Sequence, residues 1–189
     1  MTMLSRWTTT KLITAGSLGV LTVILTLPAS ALVAISGIPL LGGFINIFLD
    51  RILDALALLI IGNFGTATLK KTILGIVALP TLLLGPPGFL PKILIYATNG
   101  LIIDTIYFSI KNKKIALFLS NGIAAIAIAF QVVYIGRVFN VPGIEQTAKI
   151  FLSPFLLIGA GLGGGISGLI GLLIYNKIKN SSLIIRIQK

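Results

Sequence analysis

The chain contains four carboxylates, Asp50, Asp54, Asp104 and Glu145, and has neither histidine nor cysteine. Without histidine it lacks the commonest general base and the usual zinc ligand. Without cysteine it has no thiolate nucleophile, disulfide or iron–sulfur ligand. Asp50 and Asp54 stand at i, i+4 on one helical face, and Arg51 lies three residues before Asp54, a spacing at which the two pair. Asp104 lies in a separate apolar stretch. Ionisable groups inside a bilayer are costly and turn towards partners or water. A ligand or ion site is one reading of these intramembrane charges. The favoured reading is structural: Arg51 pairs with Asp54 or Asp104 and ties two helices together. No residue is assigned a catalytic role, and no cofactor or metal is called for.

Three enzyme motifs are approached and then fail. CDP-alcohol phosphotransferases share the Asp-x-x-x-Asp spacing of Asp50 and Asp54. They also need a second acidic pair and a glycine four residues before the first aspartate; here Asn46 stands there and no other acidic pair precedes it. Gly165-Ile166-Ser167-Gly168 matches the serine motif of rhomboid proteases, whose serine needs a histidine to take its proton. Asp104 follows Ile103 and lacks the context of an aspartyl intramembrane protease. The glycines of 159–168 read instead as packing: Gly161 with Gly165, and Gly164 with Gly168, are small-x-x-x-small pairs that let backbones approach in lipid.

The elements that position these residues follow from composition. Hydrophobic residues make up 56% of the 189 residues and charged residues 10%, against roughly 25% charged in a soluble domain. So apolar a chain cannot cover a water-facing globule, and its solvent is lipid. The formal net charge of +11 is spread between apolar runs rather than gathered in a stripe, which speaks against nucleic acid. A spanning helix needs ~20 mostly apolar residues. Uncharged runs of 38, 20, 22 and 27 residues follow Lys11, Lys71, Lys114 and Lys149. The expected fold is an all-α integral membrane protein, one compact domain over 1–189. Its six spans are at about 12–28, 46–62, 66–84, 92–110, 115–136 and 150–176. The glycines and prolines of 29–45 predict an apolar loop, and 85–91, with three prolines, cannot be regular helix.

With both termini cytoplasmic, the inside segments carry Arg6, Lys11, Lys70, Lys71, Lys111, Lys113, Lys114, Lys177, Lys179, Arg186 and Lys189. The outside segments carry Lys92, Arg137 and Lys149. That asymmetry follows the positive-inside rule. Ala29-Ser30-Ala31, after an apolar stretch, also fits a signal-peptide cleavage site; that alternative leaves five spans. Polar groups gather towards the outer half: Tyr96 and Asn99 in the fourth span, Gln131 and Tyr134 in the fifth, Asn140 and Glu145 in the next loop, and Ser153. Together they outline an outward-facing pocket for a small molecule.

The layout resembles the substrate-binding S-components of energy-coupling factor (ECF) transporters. The resemblance covers all six spans and rests on soft motifs. Ala15-Gly16-Ser17-Leu18-Gly19 resembles the small-x-x-x-small pair on the first helix, which implies that Ala15 and Gly19 contact a membrane scaffold subunit. Residues 29–45 resemble the loop that lids the site. Leu59-Ile60-Ile61-Gly62-Asn63-Phe64-Gly65 resembles the junction after the second helix, and Asn99-Gly100-Leu101-Ile102-Ile103-Asp104 the pattern of the fourth. The resemblance implies a non-enzymatic subunit that captures a vitamin or other micronutrient and works with the scaffold and ATPase subunits. The missing histidine excludes the cobalt and nickel branch. Trp7, the only tryptophan, lies before the first span, where it cannot stack thiamine. The alternative function is a structural or assembly subunit of a larger membrane complex.

Overall fold

The computed structural model describes residues 6–36, 39–84 and 86–188, and the side chains of 6–29, 45–84 and 86–188. Lys189 lies outside the described residues. Among them the chain is all helical: α1 (Thr9–Ser36), α2 (Pro39–Ile61), α3 (Thr66–Val77), α4 (Pro91–Ser109), α5 (Lys113–Val138), α6 (Ile144–Phe151), α7 (Pro154–Ile178) and α8 (Ser182–Gln188). Among the described residues, three segments are long and apolar enough to cross a membrane: Thr9–Ala29, Lys113–Val138 and Pro154–Ile178.

Two expectations about the elements need correction. Residues 29–36 and 39–45, expected as loop, are helical. Pro28 sits inside α1 without ending it, and Pro39 opens α2, where its missing N–H costs nothing. The alternative cleavage site at 29–31 falls within α1. The third helix, expected to reach 84, stops at Val77, because Pro80 lacks the donor that would continue it. Turns then carry the chain to α4.

Neighbour relations close into a circuit: α1 packs on α2 and α3, α3 on α4, α4 on α5, α5 on α7, and α7 returns to α2. Glycine sets how closely these helices meet. A Cβ on Gly164 would lie 2.7 Å from the Asn121 carbonyl oxygen, and one on Gly168 would lie 2.6 Å from that of Leu117. The α7 glycines are therefore the seam onto α5, as their spacing predicts. Outward faces are apolar: Ile13, Ile24, Phe155, Ile158, Leu162 and Leu173 are all exposed. Outward polar groups are few along α1 and α7, an arrangement suited to hydrocarbon rather than water.

Candidate functional site

Asp50, Arg51, Asp54, Lys70 and Lys71 form one compact cluster between α2 and α3, with Asn99 and Tyr96 of α4 against it. Asp50 and Asp54, one turn apart on α2, face α3 across the turn at Gly62 and Gly65, both left-handed with φ of 71° and 89°. That sharp reversal brings Lys70 and Lys71 back alongside. The Lys70 ammonium donates to Asp50 Oδ1 at 2.8 Å and to Asp54 Oδ1 at 2.7 Å. Lys71 donates to Asp50 Oδ2 and lies 3.0 Å from Asp54 Oδ2. Its ammonium also sits 5.9 Å over the Tyr96 ring, a cation–π distance. Arg51 donates from Nη1 to Asp54 Oδ2 at 3.2 Å and from Nη2 to Asn99 Oδ1 at 2.9 Å. Arg51, Asp54, Lys70 and Lys71 are 0% exposed. Burying a charge is tolerated only when it is paired and hydrogen-bonded, and here the carboxylate oxygens are saturated by cations.

The expected pair of Arg51 with Asp54 is therefore present, and the alternative partner, Asp104, has a different task. Its carboxylate accepts from the backbone N–H groups of Ala67 and Thr68 at 3.1 and 2.8 Å, and from the Thr68 hydroxyl at 2.7 Å. It caps the first turn of α3, satisfying donors that no residue of α3 reaches. Gly100, one turn earlier, makes this possible: a Cβ there would lie 2.6 Å from the Ala67 carbonyl oxygen. The Asn99-Gly100-x-x-x-Asp104 spacing thus has a local physical basis.

Lys70 and Lys71, counted with the inside segments, are buried rather than at a surface. Their signal was available: two intramembrane aspartates with one arginine leave a carboxylate uncompensated, and the nearest cations on the next helix are these lysines. Lys11 is likewise buried and donates to Asn63 Oδ1 at 3.3 Å. Lys92 is buried with its ammonium 2.6 Å from the Thr81 carbonyl oxygen. Exposed basic residues among those described are Arg6, Lys111, Lys113, Lys114, Arg137, Lys149, Lys177, Lys179 and Arg186.

The pair expected to meet a scaffold subunit turns inward. Ala15 is 0% exposed and packs with Leu53, Leu56 and Ile60 of α2 and with Ile184 and Ile187 of α8. A Cβ on Gly19 would lie 2.6 Å from the Lys70 carbonyl oxygen. Small residues on α1 serve the close approach of α3, which holds Lys70 against α2.

The seven expected ligand residues divide. Tyr96 is buried against Gly75 and Lys71. Asn99 is buried and joins the cluster to α5, donating to the Ala124 carbonyl at 2.7 Å and to Gln131 Oε1 at 3.3 Å. Gln131 and Tyr134, one turn apart on α5, line a cleft of about 440 Å³ with Phe130, Val133, Arg137 and Leu152. Glu145, on α6, holds the lining Arg137 through bonds of 2.9 and 3.0 Å to its Nε and Nη2. Those bonds keep the Glu145 carboxyl below its usual range. Ser153 adjoins Leu152 at the start of α7. Asn140 forms the left-handed turn after α5, with φ of 49°, and does not line the cleft. Phe130, Val133, Arg137 and Leu152 complete the lining without having been anticipated. Glycine at 136 lets α6 sit close: a Cβ there would run into the Ile144 side chain.

Comparisons with protein-family models, with curated proteins and with solved structures returned no match.

Proposed function

We propose that this protein is a six-span, multi-pass protein of the cell membrane that binds a vitamin or other micronutrient from outside for uptake. In this reading it is the substrate-binding subunit of an ECF-type transporter, with both termini cytoplasmic, and it relies on a membrane scaffold and ATPases for energy. The observation that carries the reading is the cleft at the α5–α6–α7 end. In the proposed orientation that end faces outside. Gln131 and Tyr134 point into one apolar recess there, and Arg137 stands at its rim. The recess is open rather than enclosed, and its lining is mostly apolar with Gln131, Tyr134 and Arg137 as the polar groups on which a ligand would orient. The proposed orientation also leaves Lys111, Lys113, Lys114, Lys177 and Lys179 exposed on the cytoplasmic side, as the positive-inside rule asks. The alternative, a structural subunit, drew on the glycine seams as protein interfaces; those glycines are occupied within the molecule, by α5 and α2.

Native mass spectrometry of the detergent-purified protein tests the reading. A retained small molecule, lost on Tyr134→Ala, is the expected result. Stoichiometric copurification with proteins unrelated to transport, and no retained molecule, overturns it. Topology is tested separately by cysteines placed at Asn112 and Gly88 in this cysteine-free chain. They should label from opposite sides, and labelling from one side rejects six spans.

A further inference from the structure

A chain of hydrogen bonds runs from the buried cluster to the cleft, and its direction is fixed at both ends. Arg51 can only donate, so Asn99 must present its oxygen to Nη2, at 2.9 Å. The Ala124 carbonyl can only accept, so Asn99 must present its amide nitrogen there, at 2.7 Å. That same nitrogen donates to Gln131, which therefore turns Oε1 inward. The other side of Gln131 gives the same answer independently. The single Thr98 hydroxyl proton is directed at the Leu94 carbonyl, 2.7 Å away. The Thr98 oxygen is left to accept from Gln131 Nε2 at 3.0 Å. One hydrogen of Gln131 Nε2 remains, on a side chain that lines the cleft.

The cleft thus meets its ligand with a donor, Gln131 N–H, and a cation, Arg137. Phe130, Val133, Leu152 and the Tyr134 ring form its remaining walls. Arg137 is at present held by Glu145, with the two side chains 54% and 67% exposed. An exposed ion pair is worth little and is readily exchanged. We propose that the cleft takes a small organic carboxylate with an apolar body. Its carboxylate is held by Gln131 Nε2–H and by Arg137, which releases Glu145 to accept it. The inference deepens the uptake reading and rests on it for where the ligand comes from.

The test is calorimetric titration of the purified chain in lipid nanodiscs, with empty nanodiscs subtracted, using octanoate and octanamide as matched probes. Octanoate should bind about tenfold or more tightly than octanamide, the scale of a charge-assisted over a neutral hydrogen bond. Gln131→Glu keeps the acceptor that faces Asn99 and replaces the donor that faces the cleft; it should abolish the preference. Arg137→Gln, at an exposed position, should weaken octanoate about tenfold and leave octanamide unchanged, and it serves if the first variant does not fold. Equal binding of the two probes, no binding of either, or an unchanged preference in Arg137→Gln overturns the proposal. Palmitate supplies the last arm. If it displaces octanoate with higher affinity, the ligand is drawn from the bilayer and uptake from outside is wrong, while the anion preference stands.

Discussion

Among the described residues the ion pairs fall into two sets, and they differ in what each charge depends on. On α2 and α3, Asp54 and its cationic partners are removed from solvent, so each charge is viable only while the others are present. On α5 and α6, Arg137 and Glu145 both reach solvent, so either can lose its partner to water. The first set fixes a helix arrangement. The second leaves a cation at the mouth of a cleft free to change partners. Burial, more than residue type, separates a structural charge from one available to a ligand.

The comparison is broken most forcefully by removing one buried charge. Asp54→Leu leaves Arg51, Lys70 and Lys71 with a single carboxylate and should cost roughly 3–5 kcal/mol, read as a large fall in the unfolding midpoint in detergent. Adding Arg51→Leu should return part of that loss. If the double variant is no more stable than the single, the charges are not interdependent and the contrast fails.

Gly19→Ala comes next. The added methyl meets the Lys70 carbonyl at 2.6 Å, where only backbone can yield, and overpacking of this kind costs about 1–3 kcal/mol. Loss of stability, rather than loss of a partner subunit, is the expected result. Asp104→Ala then strands the N–H groups of Ala67 and Thr68, at about 1–3 kcal/mol for buried groups left unsatisfied. The unfolding midpoint checks both variants.

The smallest effect belongs to the exposed pair. Glu145→Gln should leave the unfolding midpoint nearly unchanged, as an exposed ion pair contributes little. The Glu145 carboxyl is held low by Arg137, so the link is intact above the ordinary glutamate range and loosens as pH falls through the depressed one. Unfolding midpoints of wild type and Glu145→Gln should therefore differ little at neutral pH and converge in acid. A large difference at any pH would put this pair in the same class as the buried one.

Much of the fold was legible because charges punctuate the apolar runs. The helices over 91–109, 113–138 and 154–178 lie within a few residues of the expected spans. Arg51 with Asp54 was legible because an i, i+3 pair is local. Asp104 as a cap on α3 was not, since it depends on how Gly100 meets Ala67, a contact between helices. The burial of Lys70 and Lys71 was missed for a related reason. A lysine pair beside a turn has the same local pattern whether it faces water or folds back against α2. The unbalanced charge of α2 called for a cation, and the left-handed glycines at 62 and 65 bring this pair alongside. In the cleft, Gln131 and Tyr134 were accessible to helical spacing, whereas Leu152 enters by tertiary packing alone.

The shortness of α3 bears on how the chain enters a membrane. Twelve residues that include Lys70 and Lys71 make a poor candidate for partitioning alone, with each lysine near a bilayer centre costing roughly 2.5–3.5 kcal/mol on insertion scales. The neutralising carboxylates precede them in the chain, on α2, and the connection between the helices is only four residues, 62–65. In the proposed membrane arrangement, α2 and α3 would have to enter together as a hairpin rather than one after the other. Lengthening the 62–65 turn would strand α3 at the membrane surface before it reached its partners.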